Sequence, residues 1–340
     1  MKKSISKLDQ LKQVLENHTT LLIVLQDNPD PDSIASAVAL RKLANTLSNV
    51  QCSIAHGGTV GRAENRALVN YLGVNLRDIR QLDLTQYELF AMVDTQPGTG
   101  NNSLPETFET DIVIDHHSCR RLTRQSRFTD IRSRYGATAS ILFEYLEAAQ
   151  IKPEVPLATA LLYAIRSDTQ DLGRDAGQAD IRALTSLYAY ANTKMLSNIQ
   201  RGKVQRAYYQ MLANAMKNAE VVDNAIVCYL GVIENPDMIA EVADLLLRDD
   251  LTNWVMVCGV SAEKFMISLR TSQDQLSAER VVHQLVARKG TGGGHPSYAG
   301  GQIAVEEGNK SSAEAIFRRV RSRFVKSVTT KPDESQPLIQ

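Results

Sequence analysis

The chain has 340 residues, enough for two domains at roughly 150 residues each. Apolar residues make up 43% and charged residues 22%, which supplies packed cores and excludes an intrinsically disordered chain. The 38 basic and 38 acidic residues cancel, so no global positive field draws the protein to long nucleic acid, although a local basic pocket could still take a short nucleotide.

In chain order, residues 21–26 (LLIVLQ) read as a buried strand. A helix follows with Leu40, Leu43, Ala44 and Leu47 at helical spacing. Residues 51–55 are a second strand, and RAENRALVNYLG is a helix closed by Gly73. Two further apolar strands, 89–94 and 111–115, each end in Asp. Helices are expected over 137–149, 156–166 and 178–192. Continuous apolar strands alternating with helices predict an α/β domain, residues 1–192, whose parallel sheet is covered on both faces.

The polar, helically patterned segment 193–218, interrupted by Gly202, reads as a linker. A smaller α/β domain is expected over 219–326, with strands AIVCYLG, NWVMVCGV and KFMISLR between helices near 236–247 and 277–288. Its last helix opens on a capping-box pattern, Ser311 to Glu314, and turns Ile316, Phe317, Val320 and Phe324 inward. Residues 327–340 read as a disordered tail.

No run approaches the ~18 apolar residues of a membrane span. The N-terminal MKKSISKLDQ lacks the apolar stretch of a secretory leader. Cys52, Cys119, Cys228 and Cys258 are scattered, with no C-x-x-C pair, which fits reduced thiols. A cytoplasmic location without membrane contact is expected.

Acidic residues collect at the strand ends. Ligands of open α/β sheets bind outside the carboxyl ends of the strands. The first strand runs into QDNPDPDS, placing Asp30 and Asp32 two apart in an extended segment stiffened by Pro29 and Pro31. The strand 89–94 ends in Asp94, the strand 111–115 in Asp115-His116-His117, and the segment YAIRSDTQDLG adds Asp168. A single Asp before a helix is usually a cap, and one at a strand end usually a turn residue. Together, their repulsion at one sheet edge calls for cations, and oxygen with imidazole suits Mn²⁺ or Mg²⁺.

NPDPDSIAS, VDTQ, DHH and SDT, in this order, resemble the four motifs of the DHH phosphoesterase superfamily. That group includes RecJ-like exonucleases, nano-RNases that double as adenosine bisphosphate phosphatases, cyclic-dinucleotide phosphodiesterases and family II inorganic pyrophosphatases. The resemblance implies a site for up to two Mn²⁺ or Mg²⁺ ions in the cleft between the two domains. Asp94 would bridge the ions, Asp30 would bind one, and Asp32, His116 and Asp168 the other. His117 would sit beside the scissile phosphate with Asp115 orienting it. The family's usual His before the first motif is here Gln26, whose neutral amide is a weaker ligand than imidazole.

TGGGHPSYAGG (291–301) is similar to the Gly-Gly-Gly-His signature of the DHH-associated C-terminal domain. Glycines at 292, 293 and 294 would let the backbone form an anion nest beside His295. FMISLRTS resembles the strand whose arginine, here Arg270, meets a nucleotide or its terminal phosphate. Tyr298 either stacks on a base or packs in the core. No basic motif of the pyrophosphatase type is found, which favours a nucleotide end over pyrophosphate.

The resemblance thus implies hydrolysis of short oligonucleotides or nucleoside bisphosphates. Cyclic-dinucleotide hydrolysis and a non-catalytic nucleotide sensor are the alternatives, and a homodimer is compatible with either. His56 reads as structural, and His18 and His283 carry no special role. Arg120, Arg121, Arg132 and Arg134 either line the phosphodiester path or are ordinary solvated surface.

Overall fold

The computed structural model describes residues 2–261, 263–305 and 310–339. It divides into two units, Met1–Lys203 and Val204–Gln340.

The first unit runs α1 (Lys2–Leu15), β1 (Thr20–Val24), α2 (Pro31–Ser48), β2 (Gln51–His56), α3 (Ala63–Leu72), β3 (Leu76–Asp78), β4 (Leu89–Val93), β5 (Ile112–Asp115), β6 (Phe128–Ile131), α4 (Thr138–Ala148), α5 (Val155–Asp168), α6 (Gln178–Leu187) and α7 (Thr193–Gln200). All six strands are parallel, in the order β3-β2-β1-β4-β5-β6. The strand order reverses between β1 and β4, and a crevice opens at the carboxyl ends of such a pair.

Leu21, Ile23, Leu89, Ala91, Ile112 and Ile114 face one way, into a core shared with the helices. The opposite face is also covered, but by turns: Leu22, Val24, Phe90 and Met92 meet Leu82, Tyr87, Leu104 and Phe108. Pro31 fits the first turn of α2, where its missing N–H is not needed, and Asp30 caps that helix by accepting from the Ser33 amide at 2.9 Å.

The second unit runs α8 (Arg206–Asn218), β7 (Glu220–Val222), β8 (Ala225–Val232), α9 (Asp237–Leu246), β9 (Trp254–Ser261), β10 (Lys264–Thr271), α10 (Ala278–Val286), β11 (Gly290–Gly294), β12 (Tyr298–Ala304), α11 (Lys310–Val328) and β13 (Ser335–Pro337). Its mixed seven-stranded sheet has the order β11-β12-β10-β9-β8-β7-β13. One face packs on α10 and α11 through Phe265, Ile267, Leu269, Val282 and Phe324. The other packs on α8 and α9 through Ile226, Val257, Ile239 and Ala215.

The expected helical linker 193–218 comprises α7, with Leu196 and Ile199 in the first core, and α8, with Ala215 in the second. The expected disordered tail instead forms β13, antiparallel to β7, with the Leu338 amide donating to the Ala219 carbonyl at 2.9 Å. The proposed cap at Ser311 lies outside the described side chains, and α11 already includes that residue.

Candidate metal centre

Asp30 and Asp32 follow β1, Asp94 follows β4, Asp115 ends β5 with His116 and His117 after it, and α5 brings Asp168 to them. Ligand atoms of Asp94, Asp115, His116 and His117 lie within 4.8 Å of one another, as do those of Asp32, His116 and Asp168. Asp94 sits just past β4 with φ 58, a left-handed turn that few non-glycine residues adopt and that tends to be kept where function requires it.

His116 is the hinge of the two groups. Its Nδ1 lies 3.1 Å from the Tyr135 carbonyl, so Nδ1 donates there and Nε2 is the nitrogen turned to the carboxylates. Nε2 is 3.5 Å from Asp94 Oδ1 and 3.3 Å from Asp168 Oδ2. It is buried and makes no hydrogen bond to any described residue. A buried ring nitrogen without a hydrogen bond, set between two carboxylates, is costly by itself, and such a group of donors is what a divalent cation requires. The donor set therefore fits a metal.

The remaining side chains are oriented closely. Asp32 accepts from the Thr138 amide at one carboxylate oxygen and the Ala139 amide at the other, both at 2.7 Å. Asp32 thereby caps α4, which has no side-chain cap of its own. The Thr138 hydroxyl donates to Asp94 at 3.2 Å. Asp115 Oδ1 accepts from His117, at 3.0 Å from its amide and 2.9 Å from Nδ1. Asp168 ends α5, where the helix dipole disfavours a carboxylate. Arg174 partly answers this by donating to the Asp168 carbonyl at 2.6 Å.

Burial raises the Asp32 carboxyl to about 7, and the neighbouring Asp30 charge adds to this. Burial likewise raises Asp168 to about 7, with Asp32 next in importance. Asp94 is pushed well above the usual range by burial, then by Asp32 and Asp30. Asp115 goes the other way: burial opposes its charge, but the His117 hydrogen bond prevails. Burial opposes the charged form of His117 too, yet Asp115 lifts it to about 9.

Asp30 contributes through its charge on Asp32, Asp94 and Asp168, while its Oδ1 is engaged in capping α2. Gln26 is half-buried just past β1. His56 is 8% exposed with Nδ1 3.3 Å from the Asp27 carbonyl, in keeping with a structural role. Arg132 is neither surface nor lining; it is buried in ion pairs with Asp130 at 2.6 Å and Glu144 at 2.9 Å.

Sequence reasoning missed Gln96 and Thr138. Gln96 is 1% exposed and joins Asp115 Oδ2, at 2.7 Å, to the Arg120 amide, at 2.8 Å. Neither residue belongs to an apolar pattern, and only the VDTQ motif context pointed near Gln96.

In the second unit the glycine segment is a hairpin ladder rather than an open nest. Gly292 pairs with Gly301, Gly293 with Gly300, and Gly294 with Ala299. A Cβ at Gly292 or Gly301 would press on Val282 of α10, at 3.1 and 2.8 Å, whereas one at Gly293 would meet nothing within 4 Å. Close packing on α10 thus explains two glycines, and Gly293 leaves backbone open to approach. Arg270 is held by Asp244 and by the Ser268 hydroxyl, the latter at 2.8 Å. Its guanidinium lies over the Tyr298 ring, 5.8 Å from the centroid, and Tyr298 in turn lies 4.7 Å from the His295 ring. Tyr298 is half-buried against these polar groups, outside the apolar core.

Residues 20–165 match the model of the DHH family N-terminal domain, and residues 223–324 match the DHHA1 domain. The chain belongs to the DHH family. An uncharacterized protein of Methanocaldococcus jannaschii is 34% identical over 340 residues, spanning 98% of this chain and 69% of that protein. The DHH fold here is similar to an exopolyphosphatase-related protein from Bacteroides fragilis, with TM-score 0.69, 14% identity, and coverage of 93% of this chain and 95% of the other. It is also similar to Thermus thermophilus RecJ in complex with Mn²⁺, with TM-score 0.53, 16% identity, and coverage of 98% of this chain and 56% of the other. Among the described residues of this DHH-family chain, no helix is long and apolar enough to cross a membrane.

Proposed function

We propose that the protein is a divalent-cation-dependent phosphoesterase acting on short oligonucleotides or nucleoside bisphosphates. The observation that carries this reading is the buried Nε2 of His116, which makes no hydrogen bond to any described residue and faces Asp94 and Asp168. Asp32, Asp94, His116 and Asp168 would hold Mn²⁺ or Mg²⁺, with Asp30 and Gln26 beside a second, weaker position. A cation bound there polarises a phosphoryl oxygen and makes a water nucleophilic near neutral pH.

The chain's own residues then divide the work. Asp115 fixes the His117 ring through Nδ1, which leaves the Nε2 edge on the side away from Asp115. Asp32 locks the start of α4 and with it the Thr138 hydroxyl on Asp94. In this proposal Arg270, His295 and the open backbone of Gly293 receive the phosphate or nucleoside end of the substrate.

Gln26, standing where imidazole would bind a first ion more strongly, favours one rival: a nucleotide sensor that binds without turnover. One panel separates them. The protein with Mn²⁺ is assayed on a dinucleotide, adenosine bisphosphate, a cyclic dinucleotide and pyrophosphate, beside Asp94→Asn. Hydrolysis of the dinucleotide or bisphosphate is expected, lowered roughly a hundredfold or more in the variant. Loss of a ligand itself should cost at least as much as the roughly 10–100-fold seen when only a supporting partner of a metal ligand is removed. Nucleotide binding without hydrolysis of any member would establish the sensor instead.

A further inference from the structure

The histidine pair is anchored from two sides, and both anchoring segments carry arginines. On one side Gln96 donates to Asp115 and accepts from the Arg120 amide and the Thr123 hydroxyl, the last at 2.7 Å. The turn 118–125 is thereby fixed to the carboxylate that orients His117. On the other side Arg134 directly precedes Tyr135, whose carbonyl holds His116. Arg120, Arg121, Arg124 and Arg134 are exposed. No described residue forms an ion pair or hydrogen bond with any of these four guanidinium groups. Their neighbours behave differently: Arg127 pairs with Asp111 at 3.4 Å, and Arg132 is buried on Asp130 and Glu144. From His116 to Thr129 the sequence has four arginines and no acidic residue, in a chain whose charges balance overall.

Resting on the phosphoesterase reading, we infer that this arginine turn is a track for the backbone of a single-stranded nucleic acid whose end lies at the carboxylate site. A nucleoside bisphosphate carries all its charge within one nucleotide. Unpaired cations strung along a turn outside the site serve a ligand whose negative charge recurs. Such groups act through counterion release and steering rather than fixed pairs, so exposure is no handicap. Their anchoring through Gln96 keeps the track in constant register with His117.

The test compares the wild type with the triple variant Arg120→Gln, Arg121→Gln, Arg124→Gln. The substrates are bis(p-nitrophenyl) phosphate, a dinucleotide and a seven-residue oligonucleotide, each followed over a range of KCl with Mn²⁺ present. The small ester should be hydrolysed equally by both proteins. For the seven-mer, kcat/KM should fall at least about tenfold at low salt, and its log–log salt slope should become shallower by about 2, since three phosphate contacts contribute roughly 0.7 each. An equal loss on all three substrates, or no loss on the seven-mer, would overturn the track. Anisotropy of a labelled seven-mer separates the two readings. Salt-dependent binding that weakens in the variant, without hydrolysis by either protein, would sink the phosphoesterase and leave the track standing.

Discussion

Asp32 shows how one side chain couples the fold to the site. Its carboxylate closes the first turn of α4 through two backbone amides, yet it stands beside Asp30 and Asp94 in a buried setting. Without a cation, proton uptake relieves that crowding, and the sign of the resulting pH dependence follows. Asp32 and Asp168 titrate near 7 when folded, against an ordinary 3.8, and Asp94 moves the same way. The folded state therefore holds more protons than the unfolded chain between about 4 and 7. The contribution of these groups is fully present below the ordinary value and is lost as pH rises through the folded one. Protein treated with EDTA should lose thermal stability from pH 5 to pH 8. Mn²⁺ should restore it most at the upper end, by about 2.7 kcal/mol at a hundred times its Kd. A melting temperature in EDTA that is flat across this range would show that the carboxylates are not crowded as described.

Asp180 plays the corresponding part between elements. It is fully buried and accepts from the Gly136 amide at 2.8 Å, the Gly177 amide at 2.8 Å and the Ser140 hydroxyl at 2.5 Å. It thus ties the segment entering α4 to the start of α6, next to Tyr135 and Thr138, which position His116 and Asp94. Asp180→Ala should cost roughly 3 kcal/mol in urea unfolding, because buried donors lose a charged acceptor, and Asp180→Asn should cost less. A change below about 1 kcal/mol would mean that this tie is not holding the two elements. Nothing in the sequence marks Asp180, since a short acid early in a helix is usually an exposed cap. The metal-binding candidates were legible because apolar strands 89–94 and 111–115 run straight into charge. By contrast β3 (LRD) and β6 (FTDI) are too short and mixed to show a period. Strand β11 (GTGGG) has no apolar side chain to alternate, so its glycines read as an anion nest rather than as one side of a hairpin. Arg132 looked like its exposed neighbours because its partners Asp130 and Glu144 are recognisable only once α4 packs on β6.

At the scale of the whole chain, the side chains that could hold a metal ion and their supports all fall within Met1–Lys203. So do the helical core of the first sheet and the turn-covered cluster on its other face. The boundary follows burial: α7 places Leu196 and Ile199 in the first core, and Ile199 is fully buried. A fragment ending at 192 would expose that site, whereas one ending at 203 keeps it closed. Residues 1–203 alone should therefore unfold in one cooperative transition and bind Mn²⁺ with an affinity within a few-fold of the full chain, as read by calorimetry. Residues 1–192 should be less stable by about 2–4 kcal/mol, since two buried aliphatic side chains are lost. Hydrolysis separates from binding in this comparison. If Arg270 and His295 receive the substrate as proposed, the 1–203 fragment should keep its metal but lose oligonucleotide turnover. Turnover equal to the full chain would confine substrate recognition to the first unit, and Mn²⁺ binding absent from 1–203 would mean that the carboxylates need the second unit to assemble.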